Sequence, residues 1–121
     1  MKACLLHLLA RAAIAATVVS AAAAEPREKP LEAPGPLGPL RGTLLSPAAP
    51  ATPLAPVLLI VPGSGPTDRD GNSPLGVKAS TYRLLAEGLA AKGIATVRID
   101  KRGLYGSAGA VADPDAVTIE D

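Results

Sequence analysis

The stretch that decides the fold is VLLIVPGSGPTDRDGNSP, residues 57–74. It opens with an unbroken run of branched aliphatic side chains that closes at Pro62 and Gly63. Such a run is typical of a strand buried on both faces, so residues 57–61 are predicted to form a central strand of a parallel sheet. The loop that follows, residues 62–79, is long for a compact domain, which indicates a functional segment.

A helix and a second strand follow this loop. A helix over 82–92 is predicted, because Ser80 can cap its start and Gly93 stands where a left-handed C-terminal cap is common. Its apolar stripe consists of Tyr82, Leu85, Ala86 and Leu89. Residues 94–99 are predicted to form the next strand, giving a right-handed parallel crossover. Ligands of such α/β sheets bind beyond the carboxyl ends of the strands, which places the site at the loops 62–79 and 101–109.

The first 24 residues have the features of a secretory signal peptide. Lys2 and Arg11 flank a short apolar stretch, and Ala22 and Ala24 supply the small residues that precede a cleavage site. The run that follows Arg11, residues 12–19, is dominated by alanine, whereas a membrane anchor uses about 20 strongly apolar residues. We therefore expect cleavage after Ala24 and export to the periplasm or the extracellular space, with no stable membrane anchor.

Residues 25–56 form an arm rich in Pro, Ala and Gly. Residues 25–39 show no period of 2 or 3.6, which predicts a mobile or polyproline-like tether. Residues 40–46 alternate weakly and are predicted to form a strand at an edge position. Four prolines between 47 and 56 then indicate a loop. The principal domain is expected to occupy residues 57–121.

The composition excludes several functional classes. Loss of Lys2 and Arg11 with the leader changes the formal net charge from +1 to −1, so no partnership with nucleic acid is expected. The only cysteine and the only histidine, Cys4 and His7, also lie in the leader. The remaining chain would hold no disulfide, no cysteine-ligated metal and no imidazole base.

The glycine-rich loop after residue 61 has three chemical interpretations. Phosphate and dinucleotide loops require a Gly-Lys-Ser/Thr or a third glycine that this loop lacks. A calcium loop would use Asp68, Asp70 and Asn72, but Ser73 and Ala79 stand where that motif has Gly and Glu.

The third interpretation is a backbone oxyanion hole. Gly63 and Gly65 would let main-chain N–H groups point at a negative charge that develops just beyond a buried strand. On spacing alone, an ordinary Gly-Pro turn remains the alternative.

Two polar positions near the second strand are candidates for chemistry. Ser107 half-matches the Gly-x-Ser-x-Gly pattern of a nucleophile, but Tyr105 replaces the first glycine and no histidine is present to activate the hydroxyl, which favours a loop or capping serine. Asp100 and Arg102 are expected to form an ion pair that fixes the loop.

Taken together, residues 57–74, the predicted helix and the stretch GIATVRIDKRG at 93–103 resemble the α/β-hydrolase superfamily. The chain is most similar to exported bacterial serine hydrolases of the serine aminopeptidase and lysophospholipase-like branch, over about residues 41–121. The resemblance implies an α/β fold. It also implies acyl transfer from an ester, thioester or amide to a serine, followed by hydrolysis of the acyl-enzyme, with neither a metal nor a cofactor.

The resemblance also implies roles for particular residues. The backbone N–H of Ser64, between Gly63 and Gly65, would be one of two oxyanion donors. Asp100, Arg102 and Gly103 would shape the active-site rim, while Tyr105 stands where many relatives have glycine.

The nucleophile, acid and histidine of the triad are absent from this sequence. Thr118 is predicted to cap the helix that precedes the nucleophile strand, so we expect an N-terminal portion of the hydrolase, inactive alone, whose full-length form acts on a small acyl substrate. The alternative is a non-catalytic exported binding chain or a degenerate fragment.

Overall fold

The computed structural model describes residues 24–54, 56–113 and 115 as a small mixed α/β sheet of four strands with one helix. The predicted signal peptide, apart from Ala24, and the predicted cap at Thr118 lie outside these residues. In chain order the elements are β1 (Arg27–Ala33), β2 (Leu40–Ser46), β3 (Val57–Ile60), α1 (Thr81–Ala90), β4 (Ala95–Ile99) and a 3₁₀ segment (Tyr105–Ala110).

The strand order across the sheet is β1-β2-β4-β3. β3 and β4 are parallel, with Leu58 opposite Thr96, and α1 connects them, which confirms the predicted strand, helix, parallel strand unit. β4 also pairs with β2, which is antiparallel to both of its neighbours. Because β3 and β4 are parallel, their carboxyl ends lie at the same end of the sheet, together with the two loops that follow them.

Three positions in the sheet differ from the sequence predictions. β3 lies at an edge of the described sheet and not at its centre, with 62% of Val57 and 57% of Leu59 exposed. β2 is an inner strand and not an edge strand, because the arm before it contributes β1. The predicted tether thus contains a strand whose seven residues all pair with β2. Pro30 is tolerated there because an edge strand needs hydrogen-bond partners on one side only.

One face of the sheet holds the apolar core, where α1 packs. Leu45 and Ile60 contact Ala86 and Ala90 of the helix, and the half-buried Tyr82 covers this cluster. Alanine at both helix positions permits close approach of α1 to the sheet. On the opposite face the aliphatic side chains of β3 remain exposed.

The bounds of α1 follow from local geometry. Ser80 is the N-cap, as predicted, but its backbone is left-handed (φ 49°) and its side chain makes no capping hydrogen bond. Its hydroxyl donates instead to Asn72 Oδ1, 3.2 Å away. Gly93 has a φ of 79°, the left-handed conformation expected just after the helix.

Within the described part of the chain, every helix falls short of the length and apolar character needed to cross a bilayer.

Candidate functional site

The loops after β3 and β4 meet around Asp100, the residue that follows β4. Its side chain is 1% exposed. Arg69 donates to Asp100 Oδ2 from Nε and Nη2, at 3.0 and 2.5 Å, and its backbone N–H donates to Oδ1 at 3.0 Å. The Gly106 N–H donates to Oδ2 at 3.0 Å. Four hydrogen bonds on one buried carboxylate join the two loops into a single unit.

Close packing around this carboxylate requires glycine at position 106. A Cβ there would lie 2.7 Å from Arg69 Nη2 and 3.0 Å from Asp100 Oδ2, so a side chain would displace the ion pair. The preceding residue, Tyr105, adopts a left-handed φ of 46°, a conformation that glycine would take without strain. Its hydroxyl donates to Pro66 O across the two loops.

The predicted ion pair between Asp100 and Arg102 is wrong. Asp100 is paired with Arg69, and Arg102 Nη1 donates instead to Ala110 O at 3.0 Å. The chain turns immediately after Asp100, with the Leu104 N–H donating to Lys101 O at 3.0 Å. This turn directs Arg102 to the 3₁₀ segment, which it helps to fix. Gly103, the third predicted rim residue, has a φ of 80° and donates its N–H to Ser107 O at 3.0 Å.

The loop between Pro62 and Pro66 is held by a lysine. Lys101 Nζ donates to Gly63 O at 2.6 Å and also to Gly65 O. Gly65 has a φ of 79°, which turns the chain so that both carbonyls face the same cation. The Gly63 N–H lies 3.5 Å from the Tyr82 hydroxyl, which places the start of α1 beside this loop.

Ser64 lies at the tip of this loop and is exposed. Its N–H makes no hydrogen bond to any of the described residues. C=O and N–H of a trans peptide point in opposite directions, so fixing Gly63 O on Lys101 directs the Ser64 N–H away from the lysine and out of the loop. An unbonded N–H beyond the end of a parallel strand can accept a ligand oxygen that carries negative charge.

Ser107 has a structural role, as predicted. Its side chain is fully buried, its hydroxyl donates to Asp100 O at 3.0 Å, and its oxygen accepts from the Arg41 N–H at 2.8 Å. Both hydrogen-bonding functions are therefore used within the fold. A nucleophile requires an accessible hydroxyl beside a base, and Ser107 has neither property.

The calcium interpretation also lacks support from the geometry. Asp68 Oδ1 accepts the N–H groups of Asp70 and Asn72, each at 2.8 Å, which is the pattern of a turn stabilised by an aspartate. Asp70 Oδ1 lies 3.1 Å from Arg98 Nη1. Among the described residues, no cluster of three or more His, Cys, Asp or Glu side chains is placed to hold a metal ion.

Sequence reasoning missed two residues that organise this site, Arg69 and Lys101. Each contacts a partner more than 30 positions away in the chain. Their one signal was their placement in loops that follow parallel strands.

Comparisons with protein families, with curated proteins and with solved structures found no match for this chain.

Proposed function

We propose that this chain is the N-terminal portion of an exported serine hydrolase with an α/β-hydrolase fold, acting on an ester, thioester or amide. Its contribution to catalysis is the backbone N–H of Ser64, which stabilises the oxyanion of the tetrahedral intermediate. The observation that carries the proposal is this N–H, without a hydrogen bond among the described residues and held just beyond β3. The resemblance of residues 57–74 and 93–103 to that superfamily agrees with it.

The electrostatics of the loop suit a developing negative charge. Lys101 neutralises the carbonyl dipoles of Gly63 and Gly65, which would otherwise oppose an anion near Ser64. The ion pair of Arg69 and Asp100 holds the neighbouring loop in place before substrate arrives. Donors fixed in advance need no reorganisation during reaction, which is the main requirement for oxyanion stabilisation.

The remaining catalytic groups must come from further polypeptide. Residues 25–121 contain no histidine, and their most nucleophile-like serine, Ser107, is buried in the fold. In the proposed reaction a serine hydroxyl attacks the acyl carbon while a histidine accepts its proton. The carbonyl oxygen takes the negative charge and the leaving group departs, after which water hydrolyses the acyl-enzyme.

The test is reactivity of the native gene product toward a fluorophosphonate, which labels activated serines. An antibody against residues 25–54 would isolate that product from the source cells, with heat-denatured product as the control. We expect a polypeptide longer than 121 residues that is labelled and hydrolyses phenyl acetate. A native product that stays unlabelled and inactive would refute the proposal.

The exposed edge of β3 favours a second candidate, a non-catalytic exported chain that binds a protein partner through this strand. The same isolation distinguishes the two. The binding candidate predicts an unlabelled product that co-purifies with a second polypeptide in a fixed ratio. Export itself predicts Glu25 as the N-terminal residue of the isolated product, which peptide mass spectrometry would identify.

A further inference from the structure

The hydroxyl of Tyr82 lies beside the loop that carries Ser64, although Tyr82 itself belongs to α1. Its ring is half-buried against the apolar core beneath the helix. The hydroxyl oxygen accepts the Gly63 N–H in a long hydrogen bond of 3.5 Å. Tyrosine combines an apolar ring with a polar tip, so one side chain can be anchored in a core and still present a hydroxyl at a site.

The two tyrosines of the chain differ in how their hydroxyl protons are used. Tyr105 donates its proton to Pro66 O, which joins the loops after β3 and β4. A phenol has one proton to donate and can also accept a hydrogen bond. Tyr82 accepts from Gly63 but donates to none of the described residues. Its O–H is therefore available to a ligand oxygen.

The available donor of Tyr82 lies close to the Ser64 N–H. Tyr82 contacts Gly63 N, and the backbone nitrogens of consecutive residues are about 2.7–3.7 Å apart. Two donors that share one oxygen at about 2.9 Å each are separated by less than about 6 Å, which this arrangement permits. A Cβ at position 63 would meet no atom within 4 Å beyond its chain neighbours, so the space next to this residue is open to a ligand.

The position of the Tyr82 hydroxyl is set by the helix and not by the loop. In the first turn of α1 the Tyr82 N–H donates to Asp70 O at 3.1 Å, and the ring packs against the core cluster that includes Ala86. A donor on a packed helix keeps its place when substrate arrives. Donors fixed in this way stabilise a developing charge without reorganisation.

We propose that the Tyr82 hydroxyl is a catalytic side chain of the same site, which donates a hydrogen bond to the substrate oxygen alongside the Ser64 N–H. This inference rests on the proposed function of that N–H. The substrate that fits is an acyl compound whose carbonyl oxygen becomes negative during attack. Tyr82 stays protonated throughout, so the phenol transfers no proton. Its hydrogen bond strengthens as charge develops on the oxygen, which lowers the barrier more than it raises substrate affinity.

The test is Tyr82→Phe in the native gene product, with kcat and KM measured for phenyl acetate. Phenylalanine keeps the ring in the core and removes only the hydroxyl. We expect kcat to fall about 10- to 100-fold, because a hydrogen bond to a charged oxygen is lost in the transition state. KM should change less than about twofold. A trifluoromethyl ketone, which forms an oxyanion adduct with an activated serine, should bind more weakly by the same factor as kcat falls.

Tyr105→Phe is the matched variant, because it removes the other tyrosine hydroxyl of the chain. The Tyr105 proton bridges the two loops, so this change should lower the urea midpoint of unfolding. Tyr82→Phe should leave the midpoint unchanged. Loss of kcat in Tyr82→Phe together with a lower midpoint would assign the effect to folding and overturn the inference.

Failure of this inference is distinguishable from failure of the proposed function. A native product that is labelled by the fluorophosphonate and active, and whose Tyr82→Phe variant keeps full kcat, would refute the role of Tyr82 alone. A native product that is unlabelled and inactive would refute both.

Discussion

The two edges of the described sheet are built from opposite kinds of residue. β1 reads REKPLEA, with four charged side chains and a proline. Glu32 forms an exposed ion pair with Arg41, and the half-exposed Glu28 contacts the buried Arg98. β3 reads VLLI and carries no charge, yet Val57, Leu58 and Leu59 are 62%, 42% and 57% exposed.

Charged residues and proline are the usual protection of a permanent edge, since they discourage pairing with another chain. An apolar, unprotected edge is unfavourable in water, so pairing of β3 with further polypeptide would bury an exposed apolar surface. The site loops emerge beside β3 and are fixed by the buried carboxylate of Asp100. The candidate site therefore lies beside the edge of the described sheet that has neither charge nor proline to protect it.

The largest expected effect comes from breaking the ion pair beside β3. Asp100→Asn should lower the free energy of unfolding by about 3–5 kcal/mol, because it leaves the Arg69 guanidinium without its buried carboxylate. Glu32→Gln, which breaks the exposed pair with Arg41 beside β1, should cost less than about 1 kcal/mol. Urea unfolding measures both. Equal losses in the free energy of unfolding for Asp100→Asn and Glu32→Gln would contradict the difference between the β3 and β1 sides of the sheet.

A smaller contrast is expected within β3 itself. Ile60 is 8% exposed and contacts the helix, so Ile60→Ala should cost about 2–4 kcal/mol. Leu59→Ala, one residue earlier and on the open face, should change stability by about 0.5 kcal/mol or less. The same urea experiment compares them. A Leu59 effect as large as that of Ile60 would mean that the open face is already packed in the isolated chain.

The smallest effect in free energy concerns self-association. If β3 is an unprotected edge, Leu59→Lys should weaken association of the chain about tenfold, since burial of a leucine is worth about 1.5–3 kcal/mol. Lys29→Gln on β1 should leave association unchanged, because Pro30 and the remaining charges still protect that edge. Sedimentation velocity over a concentration series provides the measurement. Stronger association of Leu59→Lys would contradict the proposed role of the β3 edge.

The individual strands and the helix could largely be predicted from the sequence, whereas the strand that each one pairs with could not. The aliphatic run at 57–61, the apolar stripe of α1 and Gly93 report on short-range geometry, and the strand, helix and parallel strand were predicted correctly. The predicted stripe is wrong at Leu85, which is 50% exposed, and Ala90 lies in the core instead. Position within the sheet depends on contacts far apart in the chain. β1 was missed because charge and Pro30 argue against a strand, and the contacts that stabilise it are its ladder with β2 and ion pairs to distant arginines.

The candidate site shows the same division. The turn at Gly63 and Gly65 follows from the residue types, and its place beyond a parallel strand follows from the crossover. The contacts that fix it, from Lys101 to the loop carbonyls and from Arg69 to Asp100, depend on how an 18-residue loop folds back. No spacing rule relates residues 31 positions apart, as Arg69 and Asp100 are.

The central claim is that a main-chain N–H at position 64, and not the serine side chain, is the functional group. The most direct test compares Ser64→Pro with Ser64→Ala in the native gene product, measuring kcat for phenyl acetate. Proline removes the N–H and alanine keeps it, so we predict a fall of about 10²–10³ in kcat for Ser64→Pro and little change for Ser64→Ala. Loss of activity in Ser64→Ala, or full activity in Ser64→Pro, would contradict the account.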